Sequence, residues 1–233
     1  MERKKQDYLE VVYTKSAKPL TAYPDNLARF FMGRYGLRPG MSLLDVGCGR
    51  GEMLGAFSRL GLDCSGLDMA PSAGSLAPGV PVRLCNVTAE TFPVPDASCD
   101  AVIMKSVIEH MVDPTPLLAE VKRVLKPGGL ILVLTPDWAS VWRVFFEDAT
   151  HVHPYMAKGI AEALAMHGFE QAQSEQFCHH ELLWETGPVR ILADLLYAVL
   201  SVPMARRLAK ATGVKFLRWA VERQLLATGR RPA

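Results

Sequence analysis

The sequence predicts an α/β protein: a doubly wound, mostly parallel sheet of seven strands, helices on both faces, and a helical insertion before the last strand. Three observations carry this expectation. Apolar runs of strand length alternate with segments of helical period. The first of these runs leads straight into a glycine-rich turn, "LLDVGCGRGEM". A later run, "LILVLTP", is apolar without a break, as a strand covered on both faces must be.

The elements follow in order. The first 40 residues hold one amphipathic helix, about residues 24–35, and are expected to form a flap ahead of the sheet. "SLLDV" is the first strand, ending at Asp45 and Val46, and a helix runs from Gly51 to about Leu60 with Gly61 as its C-cap. "CSGLD", "VRLCN" and "CDAVIMK" are the second to fourth strands. In "DPTPLLAEVKRVLKPGG", Leu117, Val121 and Leu125 share a helical face, Asp113 is the N-cap, and Pro127-Gly128-Gly129 is the stop. "LILVLTP" is the fifth strand, and "YMAKGIAEALAMHGF" is a helix closed by Gly168. "FEQAQSEQF" and "RQLLATGRR" are the last two strands. Between them lies an excursion, residues 181–221, rich in Leu, Val and Ala, with Arg190 and Asp194 spaced to pair at i, i+4. The expected organisation is a flap over residues 1–40 and one domain over residues 41–233, with 181–221 as a helical insertion.

Composition narrows the function classes. With 49% hydrophobic and 21% charged residues, the 233-residue chain is long enough to bury a sizeable core. A net charge of +2 implies no polyanionic partner for the chain as a whole. The charge is uneven, however: from Pro203 onward eight Lys and Arg residues face Glu222 alone. The five cysteines form no C-x-x-C pair and are odd in number, which favours a reducing, cytoplasmic setting. "MERKKQDYLE" runs into no apolar segment, so no secretory signal is expected. Val189–Val202 is shorter than the roughly 20 residues of a spanning helix.

The glycine turn is the feature with chemistry in it. Gly47, Gly49 and Gly51 after a strand let a ligand approach the main chain, at the carboxyl ends of the strands where doubly wound sheets bind ligands. A pyrophosphate would meet the like charge of Asp45, and no Gly-Lys-Ser or Gly-Lys-Thr follows, so neither a dinucleotide nor a Walker A phosphate suits the turn. An acid there suits a ligand with an amino group or cationic centre, and Asp68, ending the second strand, is placed to accept both hydroxyls of a ribose. The two acids ask for a nucleoside that carries positive charge. Taken singly, the glycines fit a structural turn and Asp68 a helix cap. Cys48 reads as a small packed residue rather than a nucleophile.

"LLDVGCGRG", "GLDMA", "NVTAETFPVPDASCDAVIMKSVIEHMVDP" and "RVLKPGGLILVLTPD" are similar to the successive motifs of class I S-adenosylmethionine-dependent methyltransferases. The resemblance covers about residues 40–137 and extends through "THVHPY" and "HGFE". It implies a Rossmann-like sheet and S-adenosyl-L-methionine as cofactor. Carried over, it places the methionine part against Asp45, Gly47 and Gly49, the ribose on Asp68, and the adenine against Met69. Thr88, Ala89 and Glu90 would meet the far edge of the adenine, and Lys105 and Ser106 would line the floor. Thr88 departs from the Asp of many relatives, which puts recognition of the adenine amino group in doubt.

Methyl transfer to a hydroxyl needs alignment and a proton acceptor, for which His is suited. "SVIEHM" offers Glu109 and His110 and resembles the matching stretch of ubiquinone-pathway O-methyltransferases. There an extra acid helps form a proposed metal site; here that position is Ser106, so no tight metal site is expected. "EDATHVHPY" offers His151 and His153, which face one side of an extended loop, with Asp148 able to orient one of them. His179 and His180 are expected to be solvated.

The acceptor is the open question. The expected partner is a small-molecule or lipid-linked, quinone-like methyl acceptor; a sugar hydroxyl is the alternative, and a non-catalytic, cofactor-binding subunit is the alternative of another class. Nucleic acid is not expected, since the basic residues are local and the aromatics few. The insertion, with Trp184, Tyr197 and Trp219 and a basic end, suits peripheral contact with the inner face of a membrane. It equally suits a helical cover or a homodimer surface.

Overall fold

The computed structural model describes residues 20–233, so the first 19 residues of the expected flap lie outside the described residues. In chain order the elements are α1 (Tyr23–Tyr35), β1 (Ser42–Val46), α2 (Glu52–Arg59), β2 (Asp63–Asp68), β3 (Val82–Leu84), β4 (Cys99–Lys105), α3 (Thr115–Val124), β5 (Leu125–Pro136), α4 (Trp138–Val141), α5 (Ala157–Met166), β6 (Glu170–Cys178), α6 (Pro188–Val199), α7 (Val202–Thr212), α8 (Phe216–Val221) and β7 (Arg223–Arg230). The seven strands form one sheet in the order β3-β2-β1-β4-β5-β7-β6. β1 runs parallel to β2 and β4, β2 parallel to β3, and β7 antiparallel to β6. This is the mostly parallel, doubly wound sheet that the alternation of apolar runs predicts.

The chain packs as two compact units. The first holds the described residues up to Lys105 together with Thr115–Ile131 and Ala233; the second holds Ser106–Pro114 and Leu132–Pro232.

In the first unit, α1 begins with a proline in its first turn, ends on Gly36 in the left-handed conformation, and buries Leu27, Ala28 and Phe31. α2 starts after Gly51 at φ 88° and buries Met53, Leu54, Ala56 and Phe57. Arg59 on α2 pairs with Asp25 on α1 at 2.6 Å, an exposed contact that adds little beside the apolar burial. The N-termini of β1 and β4 are clamped by Asp100, whose Oδ2 accepts from the Ser42 N–H, the Ser42 hydroxyl and Lys126 Nζ, each at 2.8 Å.

In the second unit, Val141, Phe145, Cys178, Leu183, Ala193, Val202, Ala205 and Val221 form one buried cluster, so residues 181–221 are helical and fold onto β6 and the segment after β5. The expected Arg190–Asp194 pair forms at 3.2 Å, and Asp194 also takes the buried Arg223 at 2.7 Å.

Two elements differ from the sequence expectation. α3 ends at Val124, and Pro127-Gly128-Gly129 lies within β5 rather than stopping the helix. Gly128 at φ 74° absorbs the bend, and a Cβ on Gly129 would sit 2.7 Å from Lys126 O, so the strand tolerates this turn only with glycines. α4, capped by Asp137 through the Ala139 N–H, is a short helix that the apolar pattern did not announce.

Candidate active site

The glycine turn is built by the first unit alone. Gly47, Gly49 and Gly51 all take positive φ, at 71°, 53° and 88°, which an L side chain rarely adopts. The Gly47 and Cys48 N–H groups donate to Leu67 O, so the turn is pinned across to β2. Asp68 completes the lock: its Oδ2 accepts the Gly49 N–H at 2.8 Å and its Oδ1 the Ala70 N–H at 2.9 Å. A carboxylate has about four lone-pair sites, so two remain for ligand hydroxyls. Cap and ribose acceptor are therefore compatible roles for one side chain. Cys48 is buried as a small packed residue, and a Cβ on Gly66 would stand 2.8 Å from its Sγ.

Asp45 is 3% exposed at the foot of this turn. Burial pushes its carboxyl up to about 7, Asp68 adds to the rise, and Lys105 opposes it. Met69 is 68% exposed beside Asp68, a large apolar side chain left open to a planar ring.

Thr88, Ala89 and Glu90 form an exposed turn. Asn86 accepts from the Thr88 N–H and hydroxyl, and Glu90 Oε2 accepts the Asn86 N–H at 3.0 Å. Because the Thr88 hydroxyl hydrogen is spent on Asn86, the side chain offers only lone pairs outward. It is therefore an acceptor, as the Asp of relatives would be.

The second unit assembles the histidines. Glu109 and His110 sit in a 3-10 turn, Ile108–His110, whose Glu109 carbonyl accepts the N–H groups of Val152 and His153 at 2.9 and 3.0 Å. That pairing brings His151 to His110, ring centroids 4.9 Å apart. His110 Nδ1 lies 3.0 Å from Thr150 O and His151 Nδ1 2.7 Å from Phe145 O. A carbonyl can only accept, so each Nδ1 carries a hydrogen, and in the neutral imidazole each Nε2 presents a lone pair. Glu109 is fully buried, with Oε2 accepting from the Thr135 hydroxyl at 2.9 Å and Oε1 without a partner. Burial holds its carboxyl above the ordinary value, against Thr135 and the two imidazoles.

One ligand atom each from Glu109, His110 and His151 lies within 4.8 Å of the others. Such a set can take a proton from a hydroxyl or hold a divalent ion. The third donor comes from the loop after β5, 41 residues beyond His110, and sequence reasoning had not joined it to the first two.

The other histidines divide. His153 stacks on Tyr155 at 4.4 Å and 2° and donates its main-chain N–H to Glu109 O. Asp148 accepts the Thr150 N–H and hydroxyl on Oδ1, and its Oδ2 stands 3.9 Å from His151 Nε2. His180 is half-buried rather than solvated: its Nδ1 caps Leu182 and its ring meets Trp219 at 4.6 Å. Sequence reasoning missed Thr135 and Tyr155. The Tyr155 hydroxyl is buried without a hydrogen-bond partner and pushed up to about 12 by burial and by Glu109. Ser106 opens this unit with a left-handed φ of 58° and donates its N–H to Leu134 O at 2.8 Å.

A family described as a methyltransferase domain matches residues 15–174. The chain belongs to this methyltransferase family. By motif and fold it is of the class I, S-adenosylmethionine-dependent type. A ubiquinone biosynthesis O-methyltransferase of Cereibacter sphaeroides is 36% identical over 102 residues, 41% of each chain. One of Methylobacterium nodulans is 32% identical over 137 residues, 54% of this chain and 55% of that one. The matched part of the methyltransferase thus spans about half the length of these relatives. A solved S-adenosylmethionine-dependent methyltransferase of Archaeoglobus fulgidus shares the fold at TM-score 0.63 and 20% identity, covering 96% of this chain and all of that one. Phosphoethanolamine N-methyltransferase 2 of Haemonchus contortus, solved with S-adenosyl-L-methionine, shares it at TM-score 0.66 and 17% identity, covering 97% of this methyltransferase and 59% of that chain.

Proposed function

We propose that this methyltransferase moves the methyl group of S-adenosylmethionine to a hydroxyl of a small-molecule or lipid-linked, quinone-like acceptor. The observation that carries the reading is the trio of Glu109, His110 and His151, with both Nε2 lone pairs free of main-chain partners. The cofactor supplies a methyl group on a sulfonium. As the acceptor oxygen bonds to that carbon, the carbon–sulfur bond breaks, S-adenosylhomocysteine leaves, and the hydroxyl proton passes to an imidazole Nε2. His151 takes the proton in this reading, and Glu109, when ionised, stabilises the imidazolium. His110 and His153 bound the acceptor.

The cofactor residues in this reading are those that the motif resemblance implies. Asp45 faces the amino group, Gly47 and Gly49 admit the methionine part, and Asp68 accepts the ribose hydroxyls. Met69 covers the adenine, Thr88 to Glu90 meet its edge, and Lys105 and Ser106 form the floor. The ubiquinone-pathway relatives, at 32–36% identity over part of their length, support oxygen as the acceptor atom.

Labelled-methyl transfer into a panel of catechols, quinone precursors, sugars and amines tests the proposal. Label on a phenolic hydroxyl is expected. Label on sugars would move the reading to glycan modification, and label nowhere despite bound cofactor would make the chain a partner subunit. His151→Ala is expected to lower kcat by roughly 100-fold with cofactor affinity retained; full activity in that variant removes His151 from the role.

A further inference from the structure

The outer face of the insertion carries a separate feature. Of the eighteen large apolar side chains exposed among the described residues, nine fall between Leu182 and Val214, far more than an even spread along the chain would place there. On α6 they are in helical register: Ile191, Leu192, Leu195 and Val199 are 62%, 50%, 61% and 73% exposed, on one side of the helix. The other side sends Ala193, Leu196 and Tyr197 into the buried cluster. α6 is thus held by its inner face and apolar on its outer one.

α7 repeats the arrangement with charge added. Met204 and Leu208 are exposed one turn apart, and the exposed Arg207 and Lys210 flank them, followed by Lys215. These three cations have no ion pair among the described residues, whereas Asp194 on α6 and Glu222 after α8 are taken. Asp194 is held by Arg190 and Arg223, and Glu222 by Arg206 and Arg218. The Glu222 carboxyl is held down to about 2 by that clamp. The exposed charge of α7 and the α7–α8 turn is therefore positive.

Charge decides between two occupants. A two-fold contact between copies would set this face on itself, bringing the same three cations together while Asp194 and Glu222 are already paired. An anionic bilayer satisfies both features, apolar side chains entering the headgroup boundary and cations facing lipid phosphates. No single helix among the described residues is long and apolar enough to cross a membrane, and α6 and α7 are bent by 117° at their junction.

We infer that the outer face of α6 and α7 docks on an anionic lipid surface, with Ile191, Leu195, Val199 and Leu208 as apolar anchors and Arg207 and Lys210 as phosphate partners. The inference is independent of which acceptor is methylated.

Flotation of the full chain with phosphatidylcholine vesicles, with and without phosphatidylglycerol, tests it. The chain is expected to float with phosphatidylglycerol at low salt and to stay down at high salt or without the anionic lipid. Arg207→Glu/Lys210→Glu is expected to weaken association by at least roughly fivefold per residue. Ile191→Ser/Leu195→Ser is expected to abolish it, both variants keeping the wild-type melting profile and affinity for S-adenosylhomocysteine. Failure of the wild type to float, or equal flotation of both variants, overturns the proposal. A wild-type dimer in sedimentation that Ile191→Ser/Leu195→Ser converts to monomer, with no vesicle binding, assigns the face to a second copy instead.

Discussion

Gly49 donates its main-chain N–H to Asp68 Oδ2 at 2.8 Å, so the acid that would hold a ribose also holds the turn that would hold the rest of the cofactor. Asp68→Ala removes both, leaving the N–H groups of Gly49 and Ala70 unpaired. Hydrogen bonds to a charged group are worth about 1.5–3 kcal/mol each. The variant is expected to bind S-adenosylhomocysteine roughly 100-fold more weakly by titration calorimetry. Unchanged affinity would leave Asp68 a structural cap only.

Asp45 is expected to make cofactor binding depend on pH. Its carboxyl titrates at about 7 in the free chain, and a ligand ammonium beside it favours the charged form. Affinity is therefore expected to rise as pH climbs toward 7 and to level off above it, with proton release on binding below 7. Calorimetry in two buffers of different ionisation enthalpy measures that release. The same shift works against the fold: the carboxyl is raised from 3.8, so the folded chain loses stability as pH rises from 3.8 to about 7. Asp45→Asn is expected to melt higher than wild type by on the order of 5 °C at about pH 8, with no gain at acid pH, and to lose the pH dependence of binding.

Gly66 lies under the turn. An added Cβ would meet Cys48 Sγ at 2.8 Å and Leu54 Cδ2 at 3.0 Å, both in packed surroundings. Gly66→Ala is expected to destabilise the chain by about 1–3 kcal/mol in denaturant melts and to weaken cofactor binding, since Cys48 stands between Gly47 and Gly49. Wild-type stability would mean that β2 shifts to make room.

The trio of Glu109, His110 and His151 offers three ligand atoms, and Ser106, where the resemblance implies a further acid, offers no carboxylate. Catalysis by proton transfer alone is expected to survive exhaustive chelation. Loss of activity with EDTA, restored by magnesium or manganese, would assign the trio to an ion.

How far the sequence reaches depends on whether a feature is contiguous. The cradle was legible because Asp45, the glycines and Asp68 stand within 24 residues and each answers a local demand of backbone or charge. The trio was half legible: Glu109 and His110 are neighbours, but His151 joins them through main-chain bonds from Val152 and His153 to Glu109 O, which leave no mark on residue type. Thr135 and Tyr155 lay inside recognised segments, yet burial gives them their character. The apolar insertion was legible as helix, whereas the covered side of α6 was not, since its larger apolar side chains lie on the exposed side as well as the covered one.

The residues that fit the methyl donor, Ser106 excepted, belong to one packing unit, and those that could receive the acceptor's proton belong to the other. Substitutions that redraw what is modified can therefore accumulate without disturbing the bonds that fix Gly49 to Asp68. A lineage built this way can change its customers while keeping its reagent.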